Sequence, residues 1–173
     1  SPDAKQYVTD PYWQKQLLTV ETYTLKTDVS VEDGDFPTIE SAAEFNPWFP
    51  GKPYSRYLLI DEEIVMVDEY TENGFFKCLR GELSTKSAPH KAGTKVYQLA
   101  TRYSMFIPEY GSPLFYEVAD NMAKAYNDGN FDMLYFDALD GMFYDSNFFK
   151  LPECAYRYYA QMYMHRVISQ CKR

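Results

Sequence analysis

Apolar and polar residues alternate along much of the first hundred residues, which is the pattern of half-buried β-strands. The stretch LTVETYTLKTDVSV, after Leu17, places Val20, Thr22 and Thr24 on one face. Two further runs, RYLLIDEEIVMVDEY and FFKCLRGEL, flank TENG. Asn-Gly between apolar runs is a strong signal for a tight turn, so these runs are predicted to pair as a hairpin. A proline-rich loop, NPWFPGKPYS, is predicted before them, and a long loop and a closing strand, KVYQL, after them.

The hydrophobic period changes near Ala100, where a strand–helix–strand–helix order is predicted. YSMFIPE is typical of a short buried strand. Ser112 and Pro113 form a favourable N-cap and first position for a helix that ends at Gly129. FDMLYFD is apolar on both faces, as in a strand that is covered on both sides. A last helix is predicted after Pro152.

These elements predict an α+β fold with three segments: a polar N-terminal segment over 1–14, an antiparallel β-module over 15–99 and a βαβα segment over 100–173. Tyr12 and Trp13 are expected to pack the first segment against the rest. Strands joined by a helix lie parallel, so their C-terminal ends meet at one edge of the sheet. Glu109 and Asp137 end the two predicted strands. Because neighbouring strands lie about 4.8 Å apart, two carboxylates there suit the roughly 5–9 Å spacing of glycosidase sites.

Composition and charge narrow the possible partners. The chain has 173 residues, of which 46% are hydrophobic and 18% aromatic, so a folded protein is expected rather than a disordered one. Seventeen tyrosines suit sugar stacking, although core edges are their usual place. A formal charge of −8 without a basic run argues against nucleic acid as a partner. No run of about 18 apolar residues suggests a membrane span, and no signal peptide is expected at the N-terminus.

The chain begins with SPDAK, without an initiator Met, which suggests a processed product, a trimmed version or part of a longer chain. The three cysteines, Cys78, Cys154 and Cys171, are an odd number without metal-ligand spacing. They do not indicate a compartment. No cofactor motif is present, because the phosphate-binding Gly-rich pattern fails at every required position.

Residues 20–99 resemble a small β-module of phage tail proteins that also occurs as an insert in bacterial carbohydrate enzymes. That module has a hairpin followed by R-G-x-x-G-T-x-A-x-x-H-x-x-G-x-x-V. Here the hairpin is LLIDEEIVMV, and the matching residues are Arg80, Gly81, Thr85, His90, Gly93 and Val96. Ser84 replaces the second glycine and Ser87 the alanine. The resemblance implies a structural role in which Arg80 and His90 tie the long loop to backbone carbonyls.

The last 70 or so residues resemble glycoside-hydrolase-like TIM-barrel proteins of Bacteroidetes, with a pattern near N-x-x-G-F-D-M-I-Y-F-D-G-x-E-G. This chain has NDGNFDMLYFDALDG, with Ala138 in place of Gly and Asp140 in place of Glu. In the wider alpha-galactosidase-like clan an Asp at the end of the fourth barrel strand is the nucleophile of retaining hydrolysis, and Asp137 is similar to it. A whole barrel takes about 250 residues, so the resemblance implies a section of a larger enzyme.

The predicted site therefore consists of Asp137 as nucleophile or charge stabiliser, with Glu109 or Asp140 as the second carboxylate. Tyr135 and Tyr144 are expected to contact the substrate. An alternative is that Asp132, Asp140 and Asp145 only cap turns, as Asp often does. A calcium site formed by Asp137, Asp140 and Asp145 is disfavoured, because their spacing is not that of a calcium loop, and no metal is predicted.

Two functions stay open at this point. The first is a carbohydrate-active protein, expected to be a glycoside hydrolase that acts on a poly- or oligosaccharide and is secreted to the periplasm or the extracellular space. Its partners would be the carbohydrate substrate and the remainder of a larger chain. The second is a non-catalytic module for glycan binding or assembly. A common concave pocket that holds Asp137 and a second carboxylate would distinguish the first from the second.

Overall fold

The computed structural model describes residues 4–45, 48–49, 52–53, 56–102, 105–136 and 153–172. This part of the chain is a mixed α/β structure with antiparallel sheets, as predicted for the β-module. Its strands are β1 Thr19–Thr24, β2 Phe36–Pro37, β3 Trp48–Phe49, β4 Lys52–Pro53, β5 Tyr57–Ile60, β6 Glu63–Met66, β7 Glu69–Thr71, β8 Gly74–Phe76, β9 Lys95–Leu99, β10 Thr101–Arg102 and β11 Met105–Phe106. Its α-helices are α1 Pro11–Gln14, α2 Pro113–Asp128 and α3 Glu153–Gln170. Short 3₁₀ turns cover Lys5–Tyr7 and Glu82–Ser84.

Two sheets form the β-module. The larger has the order β1-β9-β5-β6 and the smaller the order β2-β8-β7, and every pair is antiparallel. β3 and β4 form a short hairpin within the stretch that was predicted to be a loop. β10 and β11 form another two-stranded unit. The closing strand predicted at KVYQL is β9, and it lies between β1 and β5.

The larger sheet is covered on both faces, because alternate residues of its strands enter two different hydrophobic cores. Leu58 and Ile60 belong to a core that includes Phe36 and Phe75 of the smaller sheet. Leu59, which lies between them, belongs to the core that includes α2 and α3. A strand side chain points to the opposite face from its neighbours, so a single strand supplies both cores.

The two long helices pack against one another and against the sheet. α2 begins as predicted: Ser112 is the N-cap, its side chain accepts a hydrogen bond from the Phe115 N–H, and Pro113 is the first helical residue. Phe115 is buried and contacts the rings of Tyr159 and Tyr163 on α3. Burial of these aromatic side chains stabilises the helix pair.

The predicted two-stranded hairpin consists of four strands in the structure, β5 to β8, two more than expected. The run from Arg56 to Tyr70 reverses at Asp61 and Glu62, so β5 and β6 pair with each other, and β7 then pairs with β8 across Glu72 and Asn73. A single strand of fifteen residues would exceed the usual length of 3–10 residues. The reversal lets both halves contribute apolar residues to the same sheet.

The predicted βαβα segment differs from the structure at both strands. β11 pairs antiparallel with β10, and it ends at Phe106, three residues before Glu109. Residues 131–136 form no strand, and Phe131, Met133 and Tyr135 are exposed. Apolar composition alone therefore gave a wrong prediction here, because a strand also needs a partner edge, and β11 has paired with β10. Asp137 and the residues up to 152 lie outside the described part.

The N-terminal segment packs on the rest of the chain. Ala4 and Val8 are buried in the core that includes α2, and Trp13 packs against it. Tyr12 is exposed, and its ring meets that of Trp13 edge-on, with ring centroids 4.7 Å apart. The buried Gln14 side chain donates hydrogen bonds to the carbonyls of Val8 and Glu62, which joins this segment to the β5–β6 turn.

Candidate functional site

A cleft of about 430 Å³ lies where the larger sheet meets the N-terminal segment and the residues before α2. We call it the Glu109 cleft. The polar side chains that line it include Gln14, Lys15, Asp61, Lys95, Tyr97 and Glu109, and leucines, among them Leu17 and Leu59, add apolar surface. The cleft thus combines carboxylates, ammonium groups, an amide and one aromatic ring.

Strand register explains why several of these side chains share one surface. Tyr97 of β9 lies opposite Leu59 of β5, and cross-strand partners point to the same face. Lys95 and Asp61 are each two residues from this pair, so they lie on that face too. Lys95 is held in place by a 2.8 Å hydrogen bond from its Nζ to Thr24 Oγ1.

Glu109 reaches the cleft from a different element. Its backbone N–H donates to the Gln16 carbonyl at 2.7 Å, and Pro108 forms a bridge with Leu17. These contacts hold the connection between β11 and α2 against the N-terminal segment. The Glu109 side chain is exposed, and it lines the cleft together with Asp61.

Asp61 occupies an unusual backbone position. It is the first residue of the two-residue β5–β6 turn and has φ = 53°, in the left-handed region that favours glycine. Asp tolerates this region better than most residues, at a cost of about 1–2 kcal/mol. Its carboxylate accepts a 2.8 Å hydrogen bond from Nδ1 of His90. The strained turn therefore holds an acidic side chain between a buried histidine and the cleft.

Behind Asp61 lies a group of charged residues that we call the Glu63 cluster: Asp61, Glu63, Arg80 and His90. The side chains of Glu63 and His90 are completely buried, and that of Arg80 is 10% exposed. Nε and Nη2 of Arg80 donate to the two Glu63 oxygens at 2.7 and 2.8 Å, in a bidentate pair. Nε2 of His90 lies 2.9 Å from Glu63 Oε2.

The cluster also binds the backbone of two loops, the one between β1 and β2 and the long one after β8. The amides of Gly81 and Ala88 donate to Glu63, and Arg80 donates to the carbonyls of Ser30, Asp33 and Ala88. The predicted tie between Arg80 and backbone carbonyls is thus confirmed. The prediction for His90 is wrong, because its ring binds two carboxylates instead of carbonyls.

These contacts move the pKa values of both buried groups. Burial of Glu63 acts to raise its pKa, but hydrogen bonds from Arg80, His90, Ala88 and Gly81 outweigh burial and lower the pKa to about 2. Burial of His90 acts to lower its pKa, but hydrogen bonds to Glu63 and Asp61 outweigh burial and raise the pKa above its ordinary value of 6.5. Both shifts favour the charged forms.

The residues predicted to form the site fall into three groups. Among the described residues, Glu109 lines a concave surface together with a second carboxylate, that of Asp61. Tyr135 is 76% exposed and is not among the residues that line the cleft. Asp137, Asp140 and Tyr144 lie outside the described residues.

Asp61, Lys95 and Tyr97 were missed at the sequence level. One signal for Asp61 was present, since DEE interrupts the apolar run LLIDEEIVMV and three consecutive acids there need either a turn or buried partners. No comparable signal marks Tyr97, because a tyrosine in an alternating strand is ordinary.

Comparison of the chain with protein-family models, with curated proteins and with solved structures found no match in any of the three. Among the helices of the described ranges, none is both long and apolar enough to cross a membrane. The same part of the chain contains no group of three or more His, Cys, Asp or Glu side chains that could hold a metal ion.

Proposed function

We propose that this chain is part of a carbohydrate-active protein that acts outside the cytoplasm, and that the Glu109 cleft binds a segment of an oligo- or polysaccharide. The observation that carries the proposal is the meeting of Glu109, Asp61 and the Tyr97 ring on one concave surface. Carboxylates accept hydrogen bonds from sugar hydroxyl groups, and an aromatic ring packs on the apolar face of a sugar. The ammonium groups of Lys15 and Lys95 supply donors for ring and hydroxyl oxygens.

The size of the cleft supports a small number of sugar units. Its volume of about 430 Å³ lies in the range of roughly 300–1,000 Å³ that is usual for small-molecule sites. Leu17 and Leu59 provide the apolar part of the lining that such sites also have. Two acids and two lysines among the lining residues balance in formal charge, which fits a neutral ligand.

For a catalytic protein, the proposed activity is glycoside hydrolysis, with Glu109 as one of the two catalytic carboxylates. Glu109 would donate a proton to the leaving oxygen, and Asp137, which the resemblance to glycoside-hydrolase-like barrels indicates, would be the nucleophile or charge stabiliser. The rest of such a barrel would belong to a longer protein. Retention of configuration follows from the same resemblance.

A non-catalytic role in glycan binding is the second candidate, and one observation favours it. The charged groups of the Glu63 cluster form hydrogen bonds with loop carbonyls and amides, which is a structural role. A rigid loop behind a cleft with an exposed tyrosine serves binding without any chemical step.

One set of experiments distinguishes the two candidate functions. The chain is tested for binding to a panel of neutral hexasaccharides (cellohexaose, xylohexaose, mannohexaose and maltohexaose) by isothermal titration calorimetry. Tyr97→Ala should weaken binding by about tenfold or more, because it removes the stacking surface. Tyr12→Ala is the matched control, since Tyr12 is also exposed but lies outside the cleft. Absence of binding to every sugar, or equal binding by Tyr97→Ala, would contradict the proposal.

Hydrolysis is measured in parallel with Asp137→Asn and Glu109→Gln. Loss of turnover in both variants with retained binding supports the hydrolase. Binding without turnover in the wild type supports the non-catalytic module instead.

A further inference from the structure

The imidazole of His90 has a carboxylate at each of its two nitrogens. Nδ1 lies 2.8 Å from Asp61 Oδ2 and Nε2 lies 2.9 Å from Glu63 Oε2. A neutral imidazole carries one N–H, so it can donate to only one of two ionised carboxylates. Both contacts are hydrogen bonds to carboxylates at the same time only when the ring carries two protons.

Glu63 does not supply the missing proton. Its two oxygens already accept hydrogen bonds from Arg80 and from the amides of Gly81 and Ala88. These four donors occupy both oxygens, so a protonated Glu63 would place its own proton against a donor. The geometry therefore places the proton on His90, and a buried imidazolium links Glu63 to Asp61.

We propose that this imidazolium is a positioning device: His90 holds the Asp61 carboxylate at the wall of the Glu109 cleft, where Asp61 accepts hydrogen bonds from the hydroxyl groups of a neutral sugar. The inference rests on the proposed function and deepens it, because it names a specificity-determining residue and the charge class of the ligand. One oxygen of Asp61 is committed to His90, and the side chain is 58% exposed, which leaves acceptor capacity for a ligand.

An acidic sugar should bind more weakly than a neutral one of similar length. Asp61 and Glu109 present two carboxylates to the ligand, and Lys15 and Lys95 balance their charge, so the lining offers no net attraction to an anion. A ligand carboxylate would meet like charges at close range, and such contacts oppose binding. The cleft is therefore matched to uncharged polyhydroxylated ligands and not to uronic acids.

The device also makes ligand binding depend on pH. The charged groups that face His90 are Asp61 from the β5–β6 turn, Glu63 from β6 and, through Glu63, Arg80 after β8. The Phe36 ring of β2 lies beside the imidazole, and Lys91, the next residue, is paired with Asp28 at the surface. The folded-state pKa of His90 lies above 6.5. When the pH rises through this value, the ring loses one proton, and one of its two nitrogens can no longer donate to a carboxylate. Asp61 then loses its fixed orientation, so sugar affinity should fall with rising pH.

The first part of the test needs no ligand. The chain contains two histidines, so the ring proton resonances of His90 and His165 can be followed separately by NMR over pH 5–9, with His165→Gln for assignment. The midpoint of His90 in the wild type should lie above 6.5, the ordinary value of a histidine. Asp61→Asn should lower the His90 midpoint, and Glu62→Gln, the neighbouring exposed acid of the same turn, should leave it unchanged. Equal midpoints in the wild type and Asp61→Asn would overturn the positioning role.

The second part uses cellohexaose, xylohexaose, mannohexaose and maltohexaose as neutral probes and hexagalacturonate as the acidic probe. Asp61→Asn should weaken neutral-sugar binding by about tenfold or more and remove its pH dependence. Glu62→Gln should bind within about twofold of the wild type. If the wild type binds a neutral sugar and Asp61→Asn binds it equally at every pH, the role of Asp61 is overturned while the proposed function stands. If the wild type prefers hexagalacturonate, the assigned charge class is wrong. If the wild type binds no probe, the proposed function fails and the ligand role of Asp61 fails with it.

Discussion

Glu63→Gln is the substitution that tests the Glu63 cluster most severely, because it changes a buried charge and almost no volume. Oε1 accepts hydrogen bonds from Arg80 and Gly81, and Oε2 from Arg80, Ala88 and His90. In glutamine one of these oxygens becomes an NH₂ group, and it faces at least two donors in either orientation of the amide. The variant also leaves the Arg80 guanidinium and the His90 imidazolium without their shared counter-charge.

Two estimates give the size of the effect. Lowering the pKa of Glu63 from 4.5 to about 2 corresponds to about 3 kcal/mol of folding free energy at pH values above 4.5. Removal of one partner from a buried ion pair costs about 3–5 kcal/mol in general. The expected loss of unfolding free energy is therefore about 3–5 kcal/mol. For a chain of 173 residues this corresponds to a decrease in Tm of about 6–20 °C.

The assay is urea denaturation at pH 6, followed by circular dichroism, with Glu62→Gln as the matched control. Glu62 is in the same turn and exposed, so its substitution should change the free energy by no more than about 0.5 kcal/mol. Wild-type stability should also decrease as the pH falls from about 4.5 toward 2, because the folded pKa of Glu63 is lower than the unfolded one. Glu63→Gln should lack that part of the pH dependence. A loss of less than about 1 kcal/mol in Glu63→Gln would refute the reasoning.

Three further predictions concern the pH dependence, one turn and the helix core. Because the folded pKa of His90 is raised, protonated His90 stabilises the fold fully below about pH 6.5, and this stabilisation is lost as the pH rises through the folded value. The free energy of unfolding, measured over pH 6–9, should therefore decrease in His165→Gln and not in His90→Gln. Gly74→Ala should destabilise by at least about 2 kcal/mol, since Gly74 has φ = 138° and a Cβ there would lie 2.4 Å from the Phe36 carbonyl oxygen. Gly93→Ala, with φ = 87° and open space, should cost only about 1 kcal/mol in the same denaturation assay. Phe115→Ala should lose about 3–5 kcal/mol because the ring is buried among tyrosines, whereas Phe131→Ala, at an exposed position, should lose about 0.5 kcal/mol or less; equal losses would contradict the assigned core.

Local signals in the sequence predicted the parts of the fold that local physics decides. Ser112 and Pro113 mark the start of α2 because a cap and a proline act within one helical turn. Asn73 and Gly74 mark the β7–β8 turn because Gly74 takes a positive φ that other residues resist. The antiparallel module followed from such turns and from period-two alternation.

Other features depended on contacts between residues far apart in the chain. The reversal at Asp61 lacks a glycine, and the hydrogen bond to His90, 29 positions away, helps to hold its left-handed backbone. The strand predicted over 131–137 is absent from its described residues, 131–136, because an apolar run does not specify which edge it can join. Glu109 was singled out for ending a parallel strand, and it lines a cleft although β11 is antiparallel. The second carboxylate of the cleft, Asp61, comes from the β-module, where the sequence indicated only structural residues.

The proposal that the Glu109 cleft binds a carbohydrate is tested most directly by ligand-induced changes in amide chemical shifts. These are measured on the ¹⁵N-labelled chain with the neutral hexasaccharide that binds most tightly. We expect the shifted amides to cluster at the Glu109 cleft, around Asp61, Tyr97 and Glu109. Tyr97→Ala should reduce these shifts at the same sugar concentration. Shifts that cluster on α3 or on the β7–β8 turn, with the cleft amides unchanged, would contradict the claim that this cleft is the carbohydrate site.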